Sequence, residues 1–225
     1  MARKIFFIHT INGVSDLFKK LCQELIPDAR LSHISDDSLI QAVLAAGGLT
    51  PAIYRKVCAH VVAAEQSGAD VVQVTCSSIS SCVDVAKFLV SIPVLMIDEP
   101  MAELAVARYG KIGVIATAPT TLRPTTEMVR EKARLAGRSV EVESVLCEGA
   151  YDAFFAGDLA RHDAIVKACL RSLVKKVDVV LLAQVSMVRV ADTLGEAERP
   201  VPILSSPRPA VERLAKVVAE LPNVP

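Results

Sequence analysis

Short runs of apolar, largely β-branched residues recur along the chain and alternate with longer amphipathic stretches. The runs cover residues 4–10, 70–75, 94–97, 111–116, 140–146, 178–183 and 201–204. Apolar residues in them are mostly consecutive rather than alternating with polar ones, which predicts strands covered on both faces. The stretches between them carry helix signals. Thr50-Pro51 offers an N-cap followed by proline at the first helical position, and Gly68 stops that helix. A helix over 100–109 closes on Gly110, another starts near Pro124 and closes on Gly137, and Asp158 caps one running to about Lys176. Strand and helix in regular alternation build parallel sheets from right-handed βαβ units, so the fold class is α/β.

The pattern repeats. Asp70-Val-Val-Gln-Val-Thr-Cys76-Ser-Ser78 aligns with Asp178-Val-Val-Leu-Leu-Ala-Gln184-Val-Ser186, an offset of 108 positions. Ile92-Pro93-Val94-Leu95 matches Val201-Pro202-Ile203-Leu204 at 109, and Lys4-Ile5 with Thr10 matches Lys111-Ile112 with Thr117 at 107. The expected organisation is two similar lobes, each a parallel sheet flanked by helices and related by a pseudo-twofold repeat. Residues 1–98 with 208–225 make the first lobe, which carries Cys76, and 99–207 the second, which carries Gln184. An amphipathic run over 211–221 is expected to pack back on the first lobe. The carboxyl ends of the strands, where α/β sheets bind ligands, are expected to line a crevice between the lobes.

Composition narrows the function classes. Lys plus Arg number 25 and Asp plus Glu 25, so no net positive field is present to hold nucleic acid or an anionic membrane. Hydrophobic residues make up 52% of the chain, with a mean hydropathy of +0.42. The apolar runs are too short to cross a bilayer, and the one after Arg3-Lys4 ends at His9, too early for a signal peptide. Six scattered cysteines without CxxC or HExxH spacing read as reduced thiols of a cytoplasmic protein with no structural metal.

Cys76 carries the main chemical signal. It ends a buried strand, just before a helix start expected in Ser77-Ser78-Ile79-Ser80-Ser81. Oriented N–H groups and a helix dipole at such a turn lower a thiol pKa and hold a substrate carboxylate. The alternative is a cysteine that merely packs, the common fate of a free thiol.

Thr75-Cys76-Ser77-Ser78 after its strand, with Ala183-Gln184-Val185-Ser186-Met187 as counterpart, resembles the aspartate/glutamate/hydantoin racemase superfamily, which includes arylmalonate decarboxylases and maleate isomerases. The similarity spans nearly the whole chain. It implies a cofactor-independent isomerase, a small carboxylate substrate and a dimer. Two-base members of the superfamily place one cysteine on each lobe, one thiolate removing a proton beside the carboxylate while the opposite thiol returns one. Here Cys76 matches the first position and Gln184 stands at the second. An amide neither donates nor accepts a proton as a thiol does. This leaves three routes: another group as second base, a one-thiol isomerisation or decarboxylation, or a protein that binds without catalysis. The arylmalonate decarboxylases carry their single cysteine on the opposite lobe.

The resemblance also implies carboxylate contacts in the loops after the first strand of each half, where Asn12, Thr117 and Thr121 stand, together with Gln184, Ser186 and the amides of Ser77 and Ser78. Asn12 beside Gly13 is equally a turn residue, and the threonines could cap the next helix. His9 could assist Cys76 or supply the missing base, or simply be hydrogen-bonded at its strand end. Tyr151 and Cys147, in a polar glycine-punctuated stretch, are weaker candidates for the crevice. Adjacent His162 and Asp163 are expected to point apart on their helix and make no site. Ser35-Asp36-Asp37-Ser38 reads as a solvated turn, Met187 as packing, and Cys22, Cys58, Cys82 and Cys169 as inert helical thiols; a Cys76–Cys82 redox pair is the weakest reading. The first expectation is an Asp/Glu racemase-like enzyme moving a proton at carbon on a small carboxylate. The alternatives are a one-thiol lyase and a carboxylate-binding protein.

Overall fold

The computed structural model describes residues 2–222. The chain divides into two compact units, the described parts of Met1–Ile97 with Pro207–Pro225, and Asp98–Ser206. In the first unit β1 (Lys4–His9), β2 (Arg30–Ser35), β3 (Val71–Val74) and β4 (Val94–Met96) form a sheet of order β2-β1-β3-β4 in which every neighbouring pair is parallel. Between them run α1 (Ser15–Leu25), α2 (Asp37–Ala46), α3 (Pro51–Gln66) and the five-residue α4 (Cys82–Ala86). Thr50 caps α3 by accepting a hydrogen bond from the Ile53 N–H, and Gly68 follows with φ of +81°, where only glycine is unstrained.

The second unit begins with α5 (Glu99–Arg108) and repeats the plan. Its strands β5 (Lys111–Ala116), β6 (Glu141–Leu146), β7 (Val179–Leu182) and β8 (Ile203–Ser205) form an all-parallel sheet of order β6-β5-β7-β8. Its other helices are α6 (Pro119–Leu135), α7 (Ala150–Phe155), α8 (Leu159–Leu173) and α9 (Val188–Asp192). Side chains cover both faces of this sheet. Ile115, Val180 and Leu182 pack with Val166, Leu170 and Leu173 of α8, while Val114, Ala116 and Leu181 pack with Met101, Ala105 and Val129 of α5 and α6. The chain then returns to the first unit as α10 (Pro207–Glu220), which lies on α1, buries Ala210, Val211 and Leu214 and ties Arg208 to Glu24 at 2.7 and 2.9 Å.

The repeat has a local cause in the ladder. Asp70 Oδ2 accepts from the Lys4 N–H at 2.6 Å and Asp178 Oδ2 from the Lys111 N–H at 2.8 Å, so the aspartate before each second central strand secures the start of the first. Val72 N–H donates to Pro93 O and Val180 N–H to Pro202 O, both at 2.9 Å. The side-chain bonds explain why the aspartate recurs in both halves.

Three local expectations change. β2 was not among the expected strands, because its sequence Arg-Leu-Ser-His-Ile-Ser places it at a sheet edge and breaks the apolar run. α6 starts at Pro119 rather than near Pro124, which lies inside the helix; two prolines in one stretch can both satisfy the first-turn rule, and the earlier one does. The segment after Cys76, where a helix start was expected within 77–81, opens as a 3-10 turn over Ser77–Ile79, and the α-helix α4 begins at Cys82.

Candidate active site

In unit 1 the Thr75 N–H donates to Ile8 O at 3.0 Å, the last ladder bond between β1 and β3. Cys76 then continues in extended conformation and forms the lip of the 3-10 turn. Its carbonyl accepts from the Ile79 N–H at 3.1 Å and the Ser80 hydroxyl at 3.4 Å, which fixes the turn. Ser77 and Ser78 are buried, whereas Cys76 is half-buried. In such a turn the first N–H groups face its amino end, on the side of Cys76, and a few oriented amides suffice to attract an anion. With α4 only five residues long, these local amides replace the helix dipole expected from sequence.

Beside Cys76, Thr75 joins a buried polar chain. Its hydroxyl donates to Ile8 O at 3.0 Å and contacts His9 Nδ1 at 2.8 Å, while His9 Nε2 contacts His33 Nδ1 at 2.9 Å. Because the threonine proton is spent on Ile8, His9 must donate through Nδ1 and accept through Nε2, and His33 must donate through Nδ1. The His9 ring, donating through one nitrogen and accepting through the other, is therefore neutral. Burial, then the neighbouring His33, hold the His9 pKa down at about 4, and burial is also the largest effect lowering that of His33. Phe7 and Phe18 enclose the His9 ring. Both nitrogens of His9 are thus committed inside unit 1. His33 was missed from sequence because β2 was.

Unit 2 places Gln184 where unit 1 has Cys76, in the same extended conformation before a 3-10 turn over Val185–Met187. Its Oε1 accepts from the Thr117 N–H at 2.5 Å and the Thr117 hydroxyl at 3.0 Å. A backbone N–H can meet only the oxygen of the amide, so the orientation is fixed and Nε2 is the group left to donate. Thr117 and Thr121 are buried at the end of β5 and in the first turn of α6; Ser186 is half-buried in its turn. Asn12 is exposed in the turn before α1, next to Gly13 at φ +87°. Tyr151 packs against Phe155 with the rings tilted and their centroids 4.5 Å apart, and Met187 is core.

Burial raises the thiols of Cys22 to about 11 and of Cys82 to about 12, with Cys58 and Cys76 adding to the latter, which argues against a ready Cys76–Cys82 exchange. Two polar clusters differ from expectation. Asp36 is no solvated turn: it binds Lys56 Nζ at 2.8 Å, His60 Nε2 at 2.7 Å and Ser38 Oγ at 2.5 Å, so both carboxylate oxygens are taken by donors. His162, fully buried, does reach its neighbour, Nδ1 to Asp163 Oδ1 at 2.8 Å, and Arg189 grips the same carboxylate at 2.6 and 2.8 Å. Here the carboxylate serves to clamp α9 to α8. Among the described residues no group of three or more His, Cys, Asp or Glu is placed to hold a metal ion, and no helix is long and apolar enough to cross a membrane.

Comparison with known proteins adds to this geometry. A glutamate racemase of Bacillus anthracis superimposes with a TM-score of 0.73 at 20% identity, covering 96% of this chain and 82% of its own. An allantoin racemase of Klebsiella pneumoniae gives 0.68 at 16% identity, covering 97% and 88%. An aspartate racemase of Picrophilus torridus gives 0.72 at 15% identity, covering 97% and 95%. These structures share the fold. No curated protein gives a significant sequence match. The model of the Asp/Glu/Hydantoin racemase family matches residues 14–214, nearly the whole chain, and the protein belongs to that family.

Proposed function

We propose that the protein is a cofactor-independent enzyme that moves a proton at the carbon next to a carboxylate of a small substrate, with the Cys76 thiol as acid/base. The observation that carries this reading is the placement of Cys76, half-buried at the end of β3 on a turn fixed through its own carbonyl, while Cys22, Cys82 and Cys147 are fully buried. The thiolate withdraws the α-proton and carbon becomes enediolate-like. The amides of Ser77 and Ser78, preorganised by the 3-10 turn, offset the charge that develops on the carboxylate oxygens. Asn12, in the same unit as Cys76, binds a substrate oxygen.

Symmetric two-thiol racemisation does not fit Gln184, whose carbonyl is held by Thr117 and whose amide exchanges no proton in the useful range. This same observation favours a one-face variant of the chemistry, isomerisation or decarboxylation in which one thiol protonates a single face of the enediolate. The test is a panel of amino acids, malonates, hydantoins, allantoin and maleate, followed in D2O for deuterium entry at the α-carbon and for CO2 release. Cys76→Ser should lower the turnover of the accepted substrate by about 10²- to 10⁴-fold. Undiminished turnover would remove Cys76 from the chemistry, and tight binding with neither exchange nor CO2 would mark a carboxylate-binding protein.

A further inference from the structure

α4 is apolar on two sides, and only one of them is covered. Cys82, Val83 and Ala86 are buried where the helix lies against α3 and β4. The backbone goes on coiling past Ala86, the Phe88 N–H donating to Val85 O at 3.1 Å and the Leu89 N–H to Ala86 O at 2.9 Å. This places Val85, Phe88 and Leu89, at i, i+3 and i+4, in one stripe on the outward side. Their exposures are 45%, 89% and 54%, and Phe88 is the most exposed large apolar side chain among the described residues.

The internal repeat separates what the fold needs here from what it does not. The offset of 108 that pairs Cys76 with Gln184 also pairs Cys82, Val83 and Ala86 with Val190, Ala191 and Leu194, and all six are buried. The same offset pairs Val85, Phe88 and Leu89 with Thr193, Glu196 and Ala197, which are exposed and include no large apolar residue. Inward positions are apolar twice because each unit buries them; the outward stripe is apolar in unit 1 alone and marks a contact surface. Its rim identifies the partner. Asp84 and Lys87, both exposed and 3.9 Å apart, flank the stripe with one charge of each sign. An anionic membrane or a partner of one charge sign would select a rim of the opposite sign. A rim carrying both signs is matched by its own copy turned about a twofold axis, Asp84 of each copy meeting Lys87 of the other.

We propose that the stripe of Val85, Phe88 and Leu89 is the surface through which two copies of this chain pair about a twofold axis. The three side chains expose on the order of 300 Å² in each copy, or about 600 Å² across the pair, half of the ~1,200 Å² at which specific interfaces reach their standard size. The pair is therefore reversible and forms as concentration rises, with Phe88 as its central anchor. The stripe is continuous with the Cys76 turn, since the Val83 N–H donates to Ser80 O at 2.9 Å and the Ser80 hydroxyl to Cys76 O at 3.4 Å. It uses no residue of that turn, so the pairing does not rest on the reaction proposed above.

The experiment is sedimentation velocity of the full chain over a concentration series from micromolar to sub-millimolar, with circular dichroism of each variant to show that it is folded. The expected mass rises from one chain towards two and stops there. Phe88→Asp, a change at an exposed position, should weaken the association by about 30-fold or more, as loss of a central aromatic anchor does. Asp84→Lys and Lys87→Asp should each weaken it by about 2- to 30-fold, because the twofold axis removes two exposed ion pairs at once. The double variant Asp84→Lys with Lys87→Asp restores both pairs and should recover the association. A one-chain mass at every concentration, a dimer indifferent to Phe88→Asp, growth beyond two chains, or a double variant no better than its parents would each overturn the proposal. If the chain stays single yet sediments with phosphatidylcholine vesicles, and Phe88→Asp abolishes this, the stripe belongs to a lipid surface instead.

Discussion

Single side chains carry the difference between the two units. His9, His33 and Thr75 make the polar chain of unit 1; the matching positions in unit 2 are Ala116, Ser144 and Ala183, where no such chain can form. The His9 pKa of about 4 lies below the ~6.5 of an unfolded chain. Between those values the unfolded chain holds the extra proton, so the contribution of neutral His9 is complete above pH ~6.5 and is lost as pH falls towards 4. Urea unfolding across this window should show a loss of about 2–3 kcal/mol, and the slope should flatten in His9→Asn, which keeps a donor to Thr75. Gln184 makes a second prediction. Gln184→Leu leaves the Thr117 N–H without its acceptor and should destabilise unit 2 by about 1–3 kcal/mol. Gln184→Glu, which supplies an oxygen, should recover most of that in the same unfolding assay.

Packing between elements is conserved in volume more than in residue identity. A Cβ on Gly113 of β5 would stand 3.0 Å from Leu173 Cγ and Cδ2 of α8, so the strand takes glycine because the helix brings a leucine. The matching pair in unit 1 is Phe6 on β1 and Ala64 on α3, large on the strand and small on the helix, both buried. Gly113→Ala alone should destabilise by about 1–2 kcal/mol through overpacking, and Leu173→Ala alone by about 2–4 kcal/mol through the cavity it leaves. Together they should be less harmful than the two losses combined, by roughly 1 kcal/mol. Strict additivity in the double-mutant cycle would show that the two sites do not share one volume.

At the scale of the whole molecule, the chain closes unit 1 only after completing unit 2. α10 contributes Ala210, Val211 and Leu214 to the buried interior of unit 1, on the order of 4–7 kcal/mol of apolar burial, comparable to the net stability of a domain. Truncation after Ser206 should therefore expose the amides of β1 and β3 to hydrogen exchange and leave those of β5 and β7 protected. Equal loss of protection in both sheets would mean that the units do not hold their stability separately.

Consecutive apolar residues gave six of the strands directly, because a strand covered on both faces needs no polar side; the expectation of two covered faces failed for β6, Glu-Val-Glu-Ser-Val-Leu, which lies partly exposed at its sheet edge. The repeat offsets of 107, 108 and 109 recur as β1 to β5, β3 to β7 and β4 to β8, since ladder bonds such as those of Asp70 and Asp178 constrain sequence locally. Cys76 stood out for the same reason, being polar sequence that abruptly ends a buried strand. Tertiary structure alone decided the rest. Edge strand β2 is half-exposed and reads as loop, and with it went His33, whose partner His9 lies 24 positions away. The commitment of both His9 nitrogens and the locking of Gln184 by Thr117 both join residues distant in sequence. Periodicity reports which face of an element is buried, whereas a proton's position or a thiol's neighbour depends on which other element lies against that face.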